Sequence, residues 1–187
     1  MARIGPESSV LVLWVVWFVS WMAAAFWRAR TVSRPGARRE VAYRVIVIAG
    51  AILLFGSFED RHLFDMGAFA WVMVGIVAGG QAFTWWARIH LGRLWSGRVT
   101  QKADHRVIDS GPYALVRHPI YAGLILAAGA TAVLRGRLSA FAGAALITLG
   151  SYIKARLEER FLREQLGKEE YDAYARRVPM LVPFTRG

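Results

Sequence analysis

Cysteine is absent from the 187 residues, which excludes disulfides, thiolate nucleophiles and cysteine-ligated metal sites, and leaves the redox compartment unspecified. Histidine is scarce. The four, His62, His90, His105 and His118, form neither an HxxxH nor an HExxH spacing, so no dedicated metal site is expected. No GxGxxG follows a predicted strand, so the soluble dinucleotide-type cofactor fold is not expected either. Acidic residues are outnumbered 13 to 24 by Lys and Arg, for a net charge of +11. That surplus is interleaved with apolar runs instead of gathered on one soluble module, which argues against nucleic acid and for contact with anionic lipid. No internal repeat, low-complexity tract or second domain stands out, and residues 1–187 read as one membrane-embedded domain.

What the chain has in abundance is apolar surface: 56% of its residues are hydrophobic and eight are Trp. The expected fold class is an all-α integral membrane protein of five transmembrane helices with a short helical cytosolic C-terminal tail. The spans are placed at 10–27, 41–58, 66–87, 119–134 and 138–153. The first has only Arg3 before it, while Arg28, Arg30, Arg34, Arg38 and Arg39 follow, a stop-transfer flank and not a cleavage region. The last two spans have 16 residues each, about 24 Å against a hydrocarbon core of about 30 Å, so they must borrow flanking residues or dip incompletely. Only Arg135-Gly136-Arg137 separates them, which predicts an antiparallel hairpin lined by Gly123, Ala127, Gly129, Ala130, Ala140, Gly143 and Ala144. Gln81, in a Gly-rich part of the third span, offers either an interhelical hydrogen bond or a substrate contact.

Lys and Arg number five after the first span, six after the third and eight after the fifth, against one after the second. The positive-inside rule therefore puts the N-terminus outside and the tail in the cytosol, with Arg135 and Arg137 on the unfavoured side. In the tail, Leu157, Phe161, Leu162 and Leu166 recur at helical spacing. Gly167 reads as a C-cap, and a second helix from Lys168 would bury Tyr171 and Tyr174 before Pro179 ends it.

Three polar stations converge on the cytosolic interface in this topology: the loop 101–108, the turn 113–121 and the start of the tail at 154–159. Aromatics there can stack on a base, Glu can pair with an ammonium, and Arg, His or backbone NH groups can hold a carboxylate. Taken singly, the bland alternative is that Glu158 and Glu159 solvate a helix face and Arg117 binds lipid phosphate.

Taken together, the motifs resemble the isoprenylcysteine carboxyl methyltransferase family of integral-membrane enzymes that use S-adenosylmethionine. The resemblance spans about residues 90 to 184 and rests on His105-Arg-Val-Ile-Asp-Ser-Gly-Pro-Tyr-Ala-Leu-Val-Arg-His-Pro-Ile-Tyr-Ala-Gly123, Glu158-Glu159-Arg-Phe-Leu162, Gly167-Lys-Glu-Glu-Tyr171-Asp-Ala-Tyr174 and Arg177-Val-Pro-Met-Leu-Val-Pro-Phe184. It implies a cofactor site formed from 101–123 and 154–184. The matching positions are His105, Arg106, Val107, Ile108, Tyr113, His118, Pro119, Ile120, Tyr121 and Glu158. Gln101 resembles a further cofactor-binding Gln, at a shorter spacing from His105 than in the eukaryotic enzymes.

Four residues before the cofactor-binding Glu, those enzymes carry an Arg that meets the substrate. Lys154 stands there in this chain, with Arg156 two residues on, and these two cations are the catalytic candidates, for orienting an anionic acceptor. The compact build resembles the prokaryotic members, which implies a multi-pass protein of a prokaryotic inner membrane, its site facing the cytosol and its acceptor lipophilic or prenylated. Three alternatives stay open: a phospholipid N-methyltransferase, a sterol-type reductase using a nicotinamide cofactor, and a non-enzymatic membrane subunit. The residues assign no oligomeric state.

Overall fold

A computed structural model describes residues 5–24, 31–33, 37–59, 61–92, 101–102 and 108–185, with the side chains of 31–33, 37–40, 101–102 and 166 left aside. Seven α-helices appear among them: α1 (Pro6–Ala24), α2 (Ala37–Phe55), α3 (Ala70–Leu91), α4 (Pro112–Leu115), α5 (Pro119–Arg135), α6 (Leu138–Leu166) and α7 (Lys168–Arg177). A 3₁₀ turn, Gly67–Phe69, leads into α3. The one strand pair among the described residues is short: β1 (Thr31–Ser33) lies antiparallel to β2 (Gln101–Lys102). It joins the segment after α1 to the segment after α3.

Among the described residues three helices are long and apolar enough to cross a membrane: Pro6–Ala24, Gly67–Leu91 and Leu138–Gln165. Val41–Phe55 and Pro119–Arg135 are shorter apolar helices. Punctuation is local. Pro119 starts α5 where a missing N–H costs nothing, and Gly136 ends it in the left-handed conformation, φ 58° and ψ 24°, that a side chain would disfavour. The final helix beyond Gly167 ends before Pro179, as its sequence predicts. No break separates the last apolar run from the tail, however, because α6 continues unbroken for 29 residues.

The helices pair as α3 with α5 and α2 with α6, and α5 with α6 less extensively. Glycine decides both main pairings. A Cβ on Gly80 would stand 2.7 Å from the Gly123 carbonyl oxygen, and one on Gly123 would stand 2.8 Å from Thr84 Cγ2. On the other side, a Cβ on Gly143 would meet Gly50 O at 2.6 Å. Backbone contact of this kind is how helices associate where lipid removes the hydrophobic drive. The expected hairpin lining is thereby corrected. Gly123 and Ala127 serve the α3 contact, Gly143 serves α2, and Gly129 has nothing close to its absent Cβ. The hairpin itself is closed by Ala128 and Ala132 of α5 with Ala140 of α6, over Leu54 and Ile147.

α1 is attached differently. Val10 is its buried residue, and Leu11, Val12, Val15, Val16, Phe18 and Val19 are exposed, as lipid-facing residues would be. Its inner face carries Trp14 and Trp17, whose indole N–H groups donate to Thr131 Oγ1 at 3.0 Å and Thr84 Oγ1 at 2.7 Å. Trp17 also stacks on Trp21, which meets Trp85 of α3 edge to face. Buried Arg88 completes this end by donating to the Ala24 carbonyl, one of the carbonyls a helix leaves unpaired at its C-terminus. Gln81 is buried, and its amide nitrogen has no hydrogen-bond partner among the described residues.

Candidate active site

The polar residues assemble where the α4–α5 turn, the far end of α6 and α7 meet. Gly111 enters α4 at φ 57°, and a Cβ there would lie 2.7 Å from the His90 ring. His90 in turn contacts Ser110 Oγ at 2.9 Å and stacks on Tyr113 with ring centroids 6.3 Å apart. The Gly-Pro-Tyr sequence is thus shaped by a histidine on α3 that sequence reasoning did not assign.

Arg117 is the hub. Its Nε donates to Glu159 Oε1 at 2.7 Å, and its Nη1 donates to the carbonyls of Ala175 (2.7 Å) and Val178 (2.5 Å) at the end of α7. The backbone N–H groups of Arg117 and His118 donate to Pro179 O and Met180 O, and Tyr174 donates its hydroxyl proton to Tyr113 O at 2.8 Å. Tyr171, Tyr174, Ala175 and Val178 form the small core beneath these bonds. The tail is therefore clamped onto the turn. The reading of Arg117 as a lipid-phosphate ligand and of Glu159 as a solvated residue is overturned, since both side chains are nearly fully buried, 9% and 3% exposed, and paired to each other. Such a pair is stable only when its remaining donors are satisfied, and the α7 carbonyls satisfy them.

The adjacent carboxylate has a different situation. Glu158 keeps 20% of its side chain exposed and accepts a 2.6 Å bond from the Tyr121 hydroxyl. His118 lies between the two carboxylates: Nδ1 is 3.6 Å from Glu158 Oε2, and Nε2 is 3.4 Å from Glu159 Oε1. The second contact is electrostatic, because Nε2 is buried and forms no hydrogen bond among the described residues. Burial by itself would lower the His118 pKa, but the two carboxylates outweigh it and leave the imidazole above its ordinary value. Its ring lies nearly parallel to that of Tyr121, 5.6 Å away. Burial, with Glu158 nearby, also raises the Tyr113 phenol, which stays protonated.

Of the residues named from the sequence, Tyr113, His118, Pro119, Ile120, Tyr121, Glu158 and Lys154 come together here. Lys154 Nζ is 4.0 Å from Glu158 Oε1. Arg156 is exposed, two residues away from Lys154 on a helix, so the two cations point in different directions. Ile108 is half-buried before the turn. His105, Arg106, Val107 and the Gln101 side chain lie outside the described residues. Arg117, Glu159, His90 and Tyr43 were missed. Glu159 and Arg117 had a signal, a charge inside a motif against an apolar run, whereas His90 and Tyr43 lie too far away in sequence to have one.

The cluster fits a ligand bearing an ammonium: Glu158 is a carboxylate that keeps 20% of its side chain exposed beside buried His118 and Tyr113.

Residues 71–164 match the family model of the isoprenylcysteine carboxyl methyltransferase (ICMT) family. The chain is 32% identical over 142 residues to a probable protein-S-isoprenylcysteine O-methyltransferase of Oryza sativa subsp. indica, covering 71% of this chain and 68% of that one. It is 32% identical over 110 residues to protein-S-isoprenylcysteine O-methyltransferase B of Arabidopsis thaliana, with 58% of this chain and 50% of the relative aligned. The chain thus spans about half the length of that Arabidopsis relative. A bacterial relative, methanethiol S-methyltransferase 1 of Bradyrhizobium diazoefficiens, is 42% identical over 74 residues, 40% of this chain and 25% of its own.

Proposed function

The chain belongs to the isoprenylcysteine carboxyl methyltransferase family, and from that premise we propose that it transfers a methyl group from S-adenosylmethionine to the carboxylate of a lipophilic, prenylcysteine-like acceptor at the membrane interface. The observation that carries this reading is the Glu158, Tyr121 and His118 cluster, packed where the α5 turn meets α6 and lying inside the matched segment. Glu158 would hold the cofactor's ammonium, with Tyr121 fixing the carboxylate. His118, Tyr113, Pro119 and Ile120 would wall the cofactor, and Gln101, His105, Arg106, Val107 and Ile108 would close it from the preceding loop.

The cofactor supplies a methyl group already activated on a sulfonium. The residues therefore need only align the acceptor in line and exclude water. A carboxylate acceptor is ionised at neutral pH and requires no general base. Lys154 would orient it by charge, and Arg156, exposed on α6, would serve as a membrane anchor. α2 and α5 would complete five membrane crossings with the three longer helices, and the Lys and Arg excess after the first, third and fifth of them supports an N-terminus outside and a site at the cytosolic face of an inner membrane. A lipid-tailed acceptor then enters laterally between helices.

Purified protein incubated with methyl-labelled S-adenosylmethionine and S-farnesyl-N-acetylcysteine should yield a base-labile methyl ester. Glu158→Ala should abolish the label and the cofactor-dependent rise in melting temperature, with the fold retained. Absence of both label and cofactor binding in wild type would sink the reading. Label appearing only on a small thiol, in a base-stable thioether, would move the acceptor class toward that named for the Bradyrhizobium relative.

A further inference from the structure

Tyr43 sits on α2, outside the segment matched by the family model, and is 4% exposed. Its ring faces the site. Lys154 Nζ lies 5.6 Å from the centroid of Tyr43 and 5.2 Å from that of Tyr121, so the ammonium is held between two aromatic faces with Glu158 at 4.0 Å. A glycine makes this possible. Gly150 stands one helical turn before Lys154 on α6, and a Cβ there would fall 2.5 Å from Val47 Cγ2 and 3.2 Å from the Tyr43 carbonyl oxygen. Only with α2 pressed against α6 at that point does the Tyr43 ring reach the lysine.

We propose that Tyr43 is a positioning residue for the acceptor, acting through Lys154: with Tyr121 it forms an aromatic clamp that aims the ammonium at an anionic acceptor group. The inference rests on the methyl-transfer reading above for the identity of the acceptor. The physical reason for aromatic walls is that they attract a cation without neutralising it. A second carboxylate would fix Lys154 equally well and cancel the charge that an anionic acceptor needs. A lysine also has several rotatable bonds and is poorly ordered without such walls. The π face, and not the hydroxyl, is the feature required, so phenylalanine must suffice at position 43 and leucine must not.

Two measurements test this on the full-length protein in detergent. With S-farnesyl-N-acetylcysteine as the probe acceptor, Tyr43→Leu should raise the KM for the probe about five- to tenfold, as for the loss of one cation–π contact, while the KM for the cofactor stays within about twofold. Tyr43→Phe should match wild type. Independently of activity, the chain has three lysines, Lys102, Lys154 and Lys168, so acetylation by an N-hydroxysuccinimide ester can be followed at each by mass spectrometry. Tyr43→Leu should speed modification of Lys154 relative to exposed Lys168, and Tyr43→Phe should not. Equal Lys154 reactivity in wild type and Tyr43→Leu overturns the clamp, as does a rise in cofactor KM matching that for the probe. If wild type methylates no prenylcysteine, the activity reading fails and the acetylation comparison alone decides the role of Tyr43.

Discussion

Arg117 and Arg135 bracket the same helix, α5, and each donates to carbonyl oxygens left over at the end of another helix. Arg135 Nη1 and Nη2 reach Phe55 O at 3.2 Å and Gly56 O at 2.9 Å, at the end of α2. Arg117 reaches the carbonyls of Ala175 and Val178 at the end of α7. At the Arg135 end the other bonds among the described residues also finish on backbone carbonyls: Leu63 N–H donates to Gly136 O, Leu138 N–H to Arg61 O and Arg137 Nη1 to Phe58 O. The Arg117 end adds Glu159, His118, Glu158 and Tyr121 in one continuous polar run. A guanidinium on bare carbonyls closes a helix end, and the same guanidinium on a carboxylate orders a series of ionisable groups. In the proposed topology Arg135 and Arg137 fall on the side that the charge rule disfavours, where both donate to protein carbonyls instead of to lipid.

The largest expected effect is all-or-none and concerns where the two ends lie. The chain has no cysteine, so single Cys residues at Ser57, near Arg135, and Ser110, near Arg117, can be probed with an impermeant reagent. Ser57→Cys should be labelled from outside and Ser110→Cys from the cytosol, with Ser8→Cys matching Ser57→Cys. Labelling of Ser57→Cys and Ser110→Cys from one side would break the opposition between the ends.

Next in size is the cost of removing each guanidinium. Arg117→Met leaves Glu159 charged and buried without its partner, a loss of about 3–5 kcal/mol, and should release α7 to limited proteolysis. Arg135→Met removes two charge-assisted hydrogen bonds to backbone carbonyls but strands no buried carboxylate, and should cost about 1.5–3 kcal/mol. The cofactor-dependent rise in melting temperature should vanish in the first variant and persist in the second. Equal loss of that rise in both would show that the two ends are coupled.

The smallest effect is a pH dependence confined to the Arg117 end. The folded-state pKa of His118 is raised above 6.5, so its contribution is complete below 6.5 and is lost as pH rises through the folded value. The melting-temperature advantage of wild type over His118→Gln should therefore shrink as the pH rises from about 6.5 into the alkaline range. The advantage of wild type over Arg135→Met should stay flat across that range. A His118 advantage that grows with pH would mean that burial, and not the carboxylates, governs the imidazole.

Much of the architecture is legible in the linear chain because lipid simplifies the code. Long apolar runs, Pro119 at a helix start, Gly136 and Gly167 at helix ends and the spacing of Tyr171 and Tyr174 are local signals, and the helices follow them within a few residues. The site is legible where its residues are neighbours, as in Tyr113 to Tyr121. Partner choice is not. Gly123 and Gly143 look like one hairpin seam in sequence but face α3 and α2 respectively, because a small residue permits close approach without naming the helix that approaches.

The residue order by itself therefore determined the helices, their ends and the motif-borne half of the cluster, since each depends on interactions within a few residues along the chain. Tertiary structure decided which Glu of the pair is sealed by Arg117 and which stays open, and that His90 props the Gly-Pro-Tyr turn. It also decided that Tyr43, 111 positions before Lys154 in the sequence, supplies the second wall around its ammonium. Those choices depend on how closely α2 packs on α6 and how α7 folds back, and interactions between side chains so far apart leave no periodic trace in a single sequence.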